Sequence, residues 1–426
     1  MRLIYSLAWW LGMPLVLWRL WRRGRDEPGY RANIGERLGF YQPAPAISMP
    51  RLWLHAVSVG ETRAAQPLVE ALLERYPDHG ILLTHMTPTG RATGRALFEQ
   101  YGDRVMQSYF PYDTGWMAKR FLRHFSPRLC VLMETEVWPN MTRQCARHGV
   151  PVALVNARLS ERSLKKGRRA QSLIRPAVDA VSVVAAQTEA DAQRLRAFGA
   201  AKVDVTGSIK FDVTPPPSML VAGMSLRSRI GGRSVLVCAS TREGEEALIL
   251  DAFADLEERP LLVIVPRHPQ RFDAVAELIA ARSLRVQKRS TLAQNGLVSP
   301  ATDVLLGDTM GELFAWYAAA DVAFIGGSLL PLGGQNLIEA CAVGTPVLIG
   351  PHTFNFSDIS NDAVADGAAL RVEDAAAMID AARRLLADDM RRSRMVDAAS
   401  AFAERHRGAT ARTLTLLTPL IDTDMH

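Results

Sequence analysis

Neither a GxGxxG run after a strand nor a GxxxxGK[ST] loop occurs in this sequence. Their absence argues against a nicotinamide dehydrogenase and against a P-loop kinase. It does not argue against an enzyme of nucleotide sugars, whose sites often lack both motifs. Cysteine is scarce. Cys130, Cys145, Cys238 and Cys341 are far apart, each in an apolar setting, with no CxxC pair and no His/Cys spacing of a zinc site. They read as buried thiols in a reducing compartment. No stretch matches a nucleic-acid module, and there is no tandem repeat or low-complexity segment. No small-residue cleavage site follows the apolar N-terminal run, which counts against a cleaved signal peptide.

What remains is a chain of 426 residues, 48% hydrophobic and 22% charged. That describes a globular protein with true cores and room for two or three domains. The net charge of +6 favours anionic partners such as phosphorylated substrates or anionic lipid, and nucleic acid is not expected.

Leu3 to Trp18 is apolar apart from Ser6 and the helix-interrupting Gly12 and Pro14, with Arg19, Arg22, Arg23 and Arg25 behind it. Trp9, Trp10, Trp18 and Trp21 suit a membrane interface. At about 1.5 Å per residue the run spans roughly 24 Å, short of the ~30 Å hydrocarbon core. It is either a marginal span or a helix lying in one leaflet. The trailing arginines place the body of the protein in the cytoplasm, at the inner face of the plasma membrane.

From residue 50 onward, strand-like runs alternate with helical stretches, which means βαβ units and parallel sheets. The first is Leu52–Val59, ending in a glycine turn at Gly60 and followed by a helix. Phe211 to Gly232, with Pro215, Pro216 and Pro217, interrupts the alternation before it restarts at Ser234. The expected architecture is therefore α/β, with two Rossmann-like domains facing a cleft. The expected boundaries are an anchor helix at 1–25, a first domain at 26–212, a linker at 213–232, a second domain at 233–400, and a C-terminal helix and tail at 401–426. The stretch from Met378 to Leu417 is expected to pack back across the first domain.

Glu61 stands where the first strand meets its helix. Ligand crevices in such sheets lie at the carboxyl ends of strands. A carboxylate there is either a general base or a complement to the helix N-terminus. Met133-Glu134-Thr135-Glu136 ends another buried strand. It resembles a DxD metal site, but Trp138-Pro139 follows directly and no third ligand is evident. Lys210, in Gly207–Asp212, is either a cation for a leaving phosphate or a solvated lysine. In the second domain, Pro266-Arg267, the Gly307–Glu312 loop, Gly326-Gly327-Ser328 and Gly333–Glu339 all fall at strand ends, the pattern of a nucleotide site. The run Arg158 to Arg175 is a solvated face or a contact for anionic lipid headgroups.

These segments taken together resemble a known family. HAVSVGE (His55–Glu61), METEVWPN (Met133–Asn140), NARLS (Asn156–Ser160), GSIKFD (Gly207–Asp212), PRHPQRF (Pro266–Phe272), GDTMGEL (Gly307–Leu313), GGSL (Gly326–Leu329), NLIEA (Asn336–Ala340) and GPHTFNF (Gly350–Phe356) resemble the bacterial 3-deoxy-D-manno-octulosonic acid (Kdo) transferases, in order and along almost the whole chain. The resemblance implies a GT-B glycosyltransferase that moves Kdo from CMP-Kdo to lipid IVA, the lipid A precursor, with inversion and without a metal. It places the proton acceptor at Glu61 and transition-state stabilisers at Glu134 and Lys210. CMP contacts fall at Pro266, Arg267, Met310, Gly311, Glu312, Asn336, Leu337, Ile338 and Glu339. Gln335-Asn336-Leu337-Ile338 departs from the His-Asn-Pro-Leu of some relatives, a change expected to alter packing rather than chemistry. Two other readings compete. One is a different nucleotide-sugar enzyme, such as a 2-epimerase or an N-acetylglucosaminyl transferase. The other is a non-catalytic nucleotide-binding scaffold at the membrane.

Overall fold

A computed structural model describes residues 2–25, 27–42, 49–292 and 296–423. Met1, at the start of the expected anchor, and residues 424–426 of the expected tail lie outside that set. The chain forms two units, one of residues 1–212 with 408–426 and one of residues 213–407.

The first unit is built on β1 (Arg51–His55), β2 (Gly80–His85), β3 (Val105–Tyr109), β4 (Leu129–Met133), β5 (Val152–Ala157), β6 (Val183–Ala186) and β7 (Val203–Val205). They pair in parallel, in the order β3-β2-β1-β4-β5-β6-β7. Every residue of β2, β4 and β5 is buried, as expected of parallel strands covered on both faces. Alternation along β1 sends Leu52 and Leu54 to one face, with Leu68 and Leu72, and Trp53 to the other, with Phe110 and Phe121.

The second unit carries β8 (Val235–Thr241), β9 (Leu261–Pro266), β10 (Val286–Lys288), β11 (Val304–Leu306), β12 (Val322–Ile325), β13 (Val347–Ile349) and β14 (Ala369–Arg371). These are again parallel, in the order β10-β11-β9-β8-β12-β13-β14.

Several elements differ from their reading in the sequence. β1 stops at His55 and the helix Val59–Arg75 begins four residues later, so Gly60 lies in the first helical turn rather than in a turn before it. Ser58 causes this, because its extended backbone and side chain cap the helix. The expected linker at 213–232 is largely helical and belongs to the second unit. Residues Pro217–Ile230 form a helix that starts on a proline, which suits a first helical position. Of the stretch expected to return to the first unit, the helices Ala375–Ala387 and Asp389–His406 belong to the second, with Met378, Ile379, Ala382, Leu385 and Met395 in its core. Only the helix Ala409–Asp422 joins the first, through Ala409, Leu417 and Ile421. The break falls at Arg407, whose extended backbone ends the preceding helix, and at Gly408, which opens the next with a φ of 79°.

Near the N-terminus, Arg2–Arg23 is one helix that runs through Pro14. Met13 and Leu20 pack on Tyr112 and Met117, and the Tyr5 hydroxyl donates to Asp113 Oδ2 at 3.0 Å. Leu7, Trp10, Leu11, Leu15, Trp18 and Trp21 are exposed. Among the described residues, no helix is long and apolar enough to cross a membrane.

Candidate active site

In the first unit the strand order reverses between β1 and β4. The chain beyond the carboxyl ends of these two strands carries Glu61 and Glu134. This is the topological switch point at which open α/β sheets bind ligands. Ser58 Oγ accepts from Glu61 N at 3.5 Å, and Val57 N donates to Glu61 Oε2 at 2.7 Å. Ser58 thus caps the helix, and the Glu61 carboxylate reaches back past it to the N–H of the preceding residue, a variant of the Ser-x-x-Glu cap. The helix-capping reading of Glu61 is therefore correct as far as it goes. Its second oxygen is freer, since Oε1 receives only the Ser58 hydroxyl, at 3.4 Å. Burial pushes the carboxyl up to about 7, the Val57 N–H opposes this, and the neighbouring Glu134 and Glu136 reinforce it. A carboxylate poised near neutrality, with an oxygen to spare, is suited to taking a proton at working pH.

Glu134 itself has a φ of 58°, sparsely populated by residues other than glycine. Such backbone persists only where its surroundings hold it, and it concentrates at functional sites. Its Oε1 accepts from Lys210 Nζ at 2.5 Å. Lys210 lies in the short turn Ile209–Phe211, and buried Asn156 at the end of β5 holds that turn in place. Asn156 Oδ1 accepts from Ile209 N at 3.1 Å and from Ser208 Oγ at 3.3 Å. Glu61, Glu134 and Lys210 thus come together, and Lys210 is paired rather than merely solvated.

In the second unit the order reverses between β8 and β12. Glu245, in the first turn of the helix Glu245–Ala254, is fully buried there. Its carboxylate accepts from Arg242 N at 2.9 Å, Gly327 N at 2.6 Å, Ser328 N at 2.9 Å and Leu329 N at 3.0 Å. It ties the loop after β12 to the loop after β8. Gly326 permits this approach, since a Cβ on it would lie 2.6 Å from the Ser240 carbonyl oxygen. Glu245 holds the position that Glu61 holds in the first unit. With four N–H donors and no exposure, it is a fastener rather than a base.

Beyond β9, Arg267 N donates to Thr241 O at 2.9 Å. Burial raises the carboxyl of Glu339, with Arg267 and Asn336 pulling it down, so these three side chains form one group. Met310 is exposed, Gly311 has a φ of 82°, and Glu312 accepts from Arg289 at 2.8 Å and from the Thr309 hydroxyl. Leu337 and Ile338 are wholly buried, and Pro266 is buried at the end of β9. Among the described residues, no group of three or more His, Cys, Asp or Glu side chains could hold a metal ion.

Known proteins resemble this chain along most of its length. Residues 32–213 match the family model described as 3-deoxy-D-manno-octulosonic-acid transferase (kdotransferase), and residues 241–402 match that of glycosyl transferases group 1. A 3-deoxy-D-manno-octulosonic acid transferase of Bordetella pertussis is 48% identical, covering 97% of this chain and 98% of its own. The chain belongs to the Kdo transferase family.

A Haemophilus influenzae member is 36% identical, with 99% of each chain covered. A solved UDP-GlcNAc 2-epimerase from Neisseria meningitidis, 15% identical, covers 86% of this chain and 99% of its own at a TM-score of 0.56, and shares its fold. This Kdo transferase is a glycosyltransferase with two Rossmann-like domains of the GT-B type.

Sequence reasoning missed three residues that shape the transferase's site. Ser58 carried a visible signal, since serine three residues before glutamate at a helix start is a capping pattern. Glu245 carried a weaker one, an acid after the first strand of the second domain, as Glu61 is in the first. Asn156 lay inside a recognised motif, but its left-handed backbone and its hold on the Lys210 turn are tertiary facts.

Proposed function

We propose that this transferase moves Kdo from CMP-Kdo to lipid IVA with inversion, and that Glu61 is the general base. The observation that supports this most is Glu61 itself, a half-buried carboxylate at a switch point, raised to about 7, with one oxygen weakly engaged. It takes the proton from a sugar hydroxyl of the acceptor as that oxygen attacks the anomeric carbon. Attack opposite the leaving CMP inverts that carbon. Lys210, held by Glu134, offsets negative charge as the bond to CMP breaks. Arg267, Glu339 and Asn336 hold the nucleotide, together with Pro266, Leu337, Ile338 and the Met310-Gly311-Glu312 loop. No metal is required, because cationic side chains and backbone N–H groups supply the electrostatic stabilisation.

The enzyme works at the cytoplasmic face of the inner membrane, where its acceptor lies. The exposed apolar residues of the N-terminal helix support that placement, since a helix of this kind sits in one leaflet. Purified enzyme given CMP-Kdo and lipid IVA is expected to release CMP and add Kdo to the lipid, read by mass spectrometry. UDP-sugars are expected to give no transfer. Release of CMP without a Kdo-bearing lipid, or transfer from a UDP-sugar, would contradict this reading.

A further inference from the structure

The helix Glu161–Arg169 contains one apolar side chain, Leu164, and buries none of its residues. A helix that covers a sheet normally presents an apolar stripe of about three residues per two turns. A single leucine cannot fill the space beneath, and a cavity of about 310 Å³ remains there. Leu154 of β5 and Val184 of β6 form part of its floor, and Leu159, Leu164, Leu195 and Phe198 part of its walls. Gly167 sits so close to Phe198 that a Cβ would lie 2.9 Å from the ring. Glu134 and Thr135 line the same cavity, so it reaches the chain beyond β4, whose Glu134 pairs with Lys210.

The volume lies at the lower end of ordinary ligand sites, roughly 300–1,000 Å³. The cavity's walls are mostly apolar, and apolar walls favour an apolar guest. The outer side of the same helix is mainly basic, and Arg162, Lys165, Lys166 and Arg169, with the single acid Glu161, line a shallow depression on it. Lys166 lines both spaces. An apolar slot under a cationic rim, beside the residues proposed to act in transfer, fits an acyl chain attached to an anionic headgroup.

We propose that this cavity is a subsite for one acyl chain of the lipid acceptor, with the basic rim meeting the acceptor's anionic headgroup. The inference rests on the reading of the acceptor as an acylated, phosphorylated sugar. It makes the enzyme a reader of chain length. Burial of each methylene is worth about a fourfold gain in affinity. A twelve-carbon alkyl phosphate, used below its micelle concentration, is expected to bind the full-length enzyme about 15-fold more tightly than the ten-carbon homologue, by titration calorimetry. Leu164→Trp, which puts an indole into the slot, is expected to weaken the longer chain at least tenfold and bring the ratio of the two near one. The ratio of KM values for lipid acceptors of full and shortened chains should collapse in the same way.

Equal binding of the two alkyl phosphates by the wild-type enzyme would overturn the subsite, as would a Leu164→Trp enzyme that keeps the wild-type ratio. Transfer to lipid acceptors with no dependence on chain length would sink the subsite alone. Failure to transfer Kdo to any phosphorylated lipid would instead sink the acceptor reading on which it rests.

Discussion

Glu61→Gln is expected to lower kcat by about 10²–10⁴-fold, the usual contribution of a positioned base, and to leave CMP-Kdo binding intact. Glutamine keeps an oxygen for the Val57 N–H and so preserves the cap, but it cannot accept the acceptor's proton. A donor Kd within about twofold of wild type, with single-turnover transfer nearly abolished, is the expected pair of results. More than about a tenth of the wild-type rate would rule out the base assignment, since base catalysis supplies at least roughly 10²-fold.

Stability provides a control on that experiment. The Glu61 carboxyl is raised from 4.5 to about 7 in the folded protein. Between these values the native state holds a proton that the unfolded chain has released, so this group's effect on stability becomes less favourable as pH rises through the window. Above it the ionised side chain carries the full penalty of burial. Glu61→Gln is therefore expected to melt no lower than wild type at pH 8, and a loss of activity in it cannot be assigned to unfolding.

The second large effect concerns the fastener of the second unit. Glu245→Ala leaves the buried N–H groups of Gly327, Ser328 and Leu329, and the partly buried one of Arg242, without their acceptor. Stranded donors cost about 1–3 kcal/mol each before relaxation or water entry. A net loss of roughly 4 kcal/mol is expected, which lowers the melting of a unit of this size by roughly 8–16 °C. CMP binding is expected to fall with it, because the loop after β12 loses its tie to the loop after β8. Thermal unfolding within about 2 °C of wild type would show that the loop holds itself and that Glu245 is dispensable.

The parallel sheets were legible because most of their strands are short, largely apolar runs separated by helical periodicity. The strands β10 and β14 were not, since each has three residues and Val286, Gln287, Lys288, Leu370 and Arg371 are only partly buried or exposed. The order of the strands was also beyond the sequence, and it is what brings Glu61 and Glu134 to the same switch point. Glu61 could be picked out as a carboxylate at a strand end, but its two roles could not be separated there. Separating them required the hydrogen bonds, which engage Oε2 in the cap and leave Oε1 nearly open. Leu337 and Ile338 illustrate the opposite limit, because a motif can mark a contact position without revealing that its side chains face the core.

The most direct test of the account is the pH dependence of kcat/KM for Kdo transfer, measured for the wild-type enzyme and Glu61→Gln side by side. The wild type should show an acid limb with an apparent pKa near 7, its rate falling about tenfold per pH unit below that as Glu61 takes up a proton. The residual rate of Glu61→Gln should lack this limb. A wild-type profile that stays flat from pH 5.5 to 8, or a limb of the same pKa that persists in Glu61→Gln, would show that another group carries the proton.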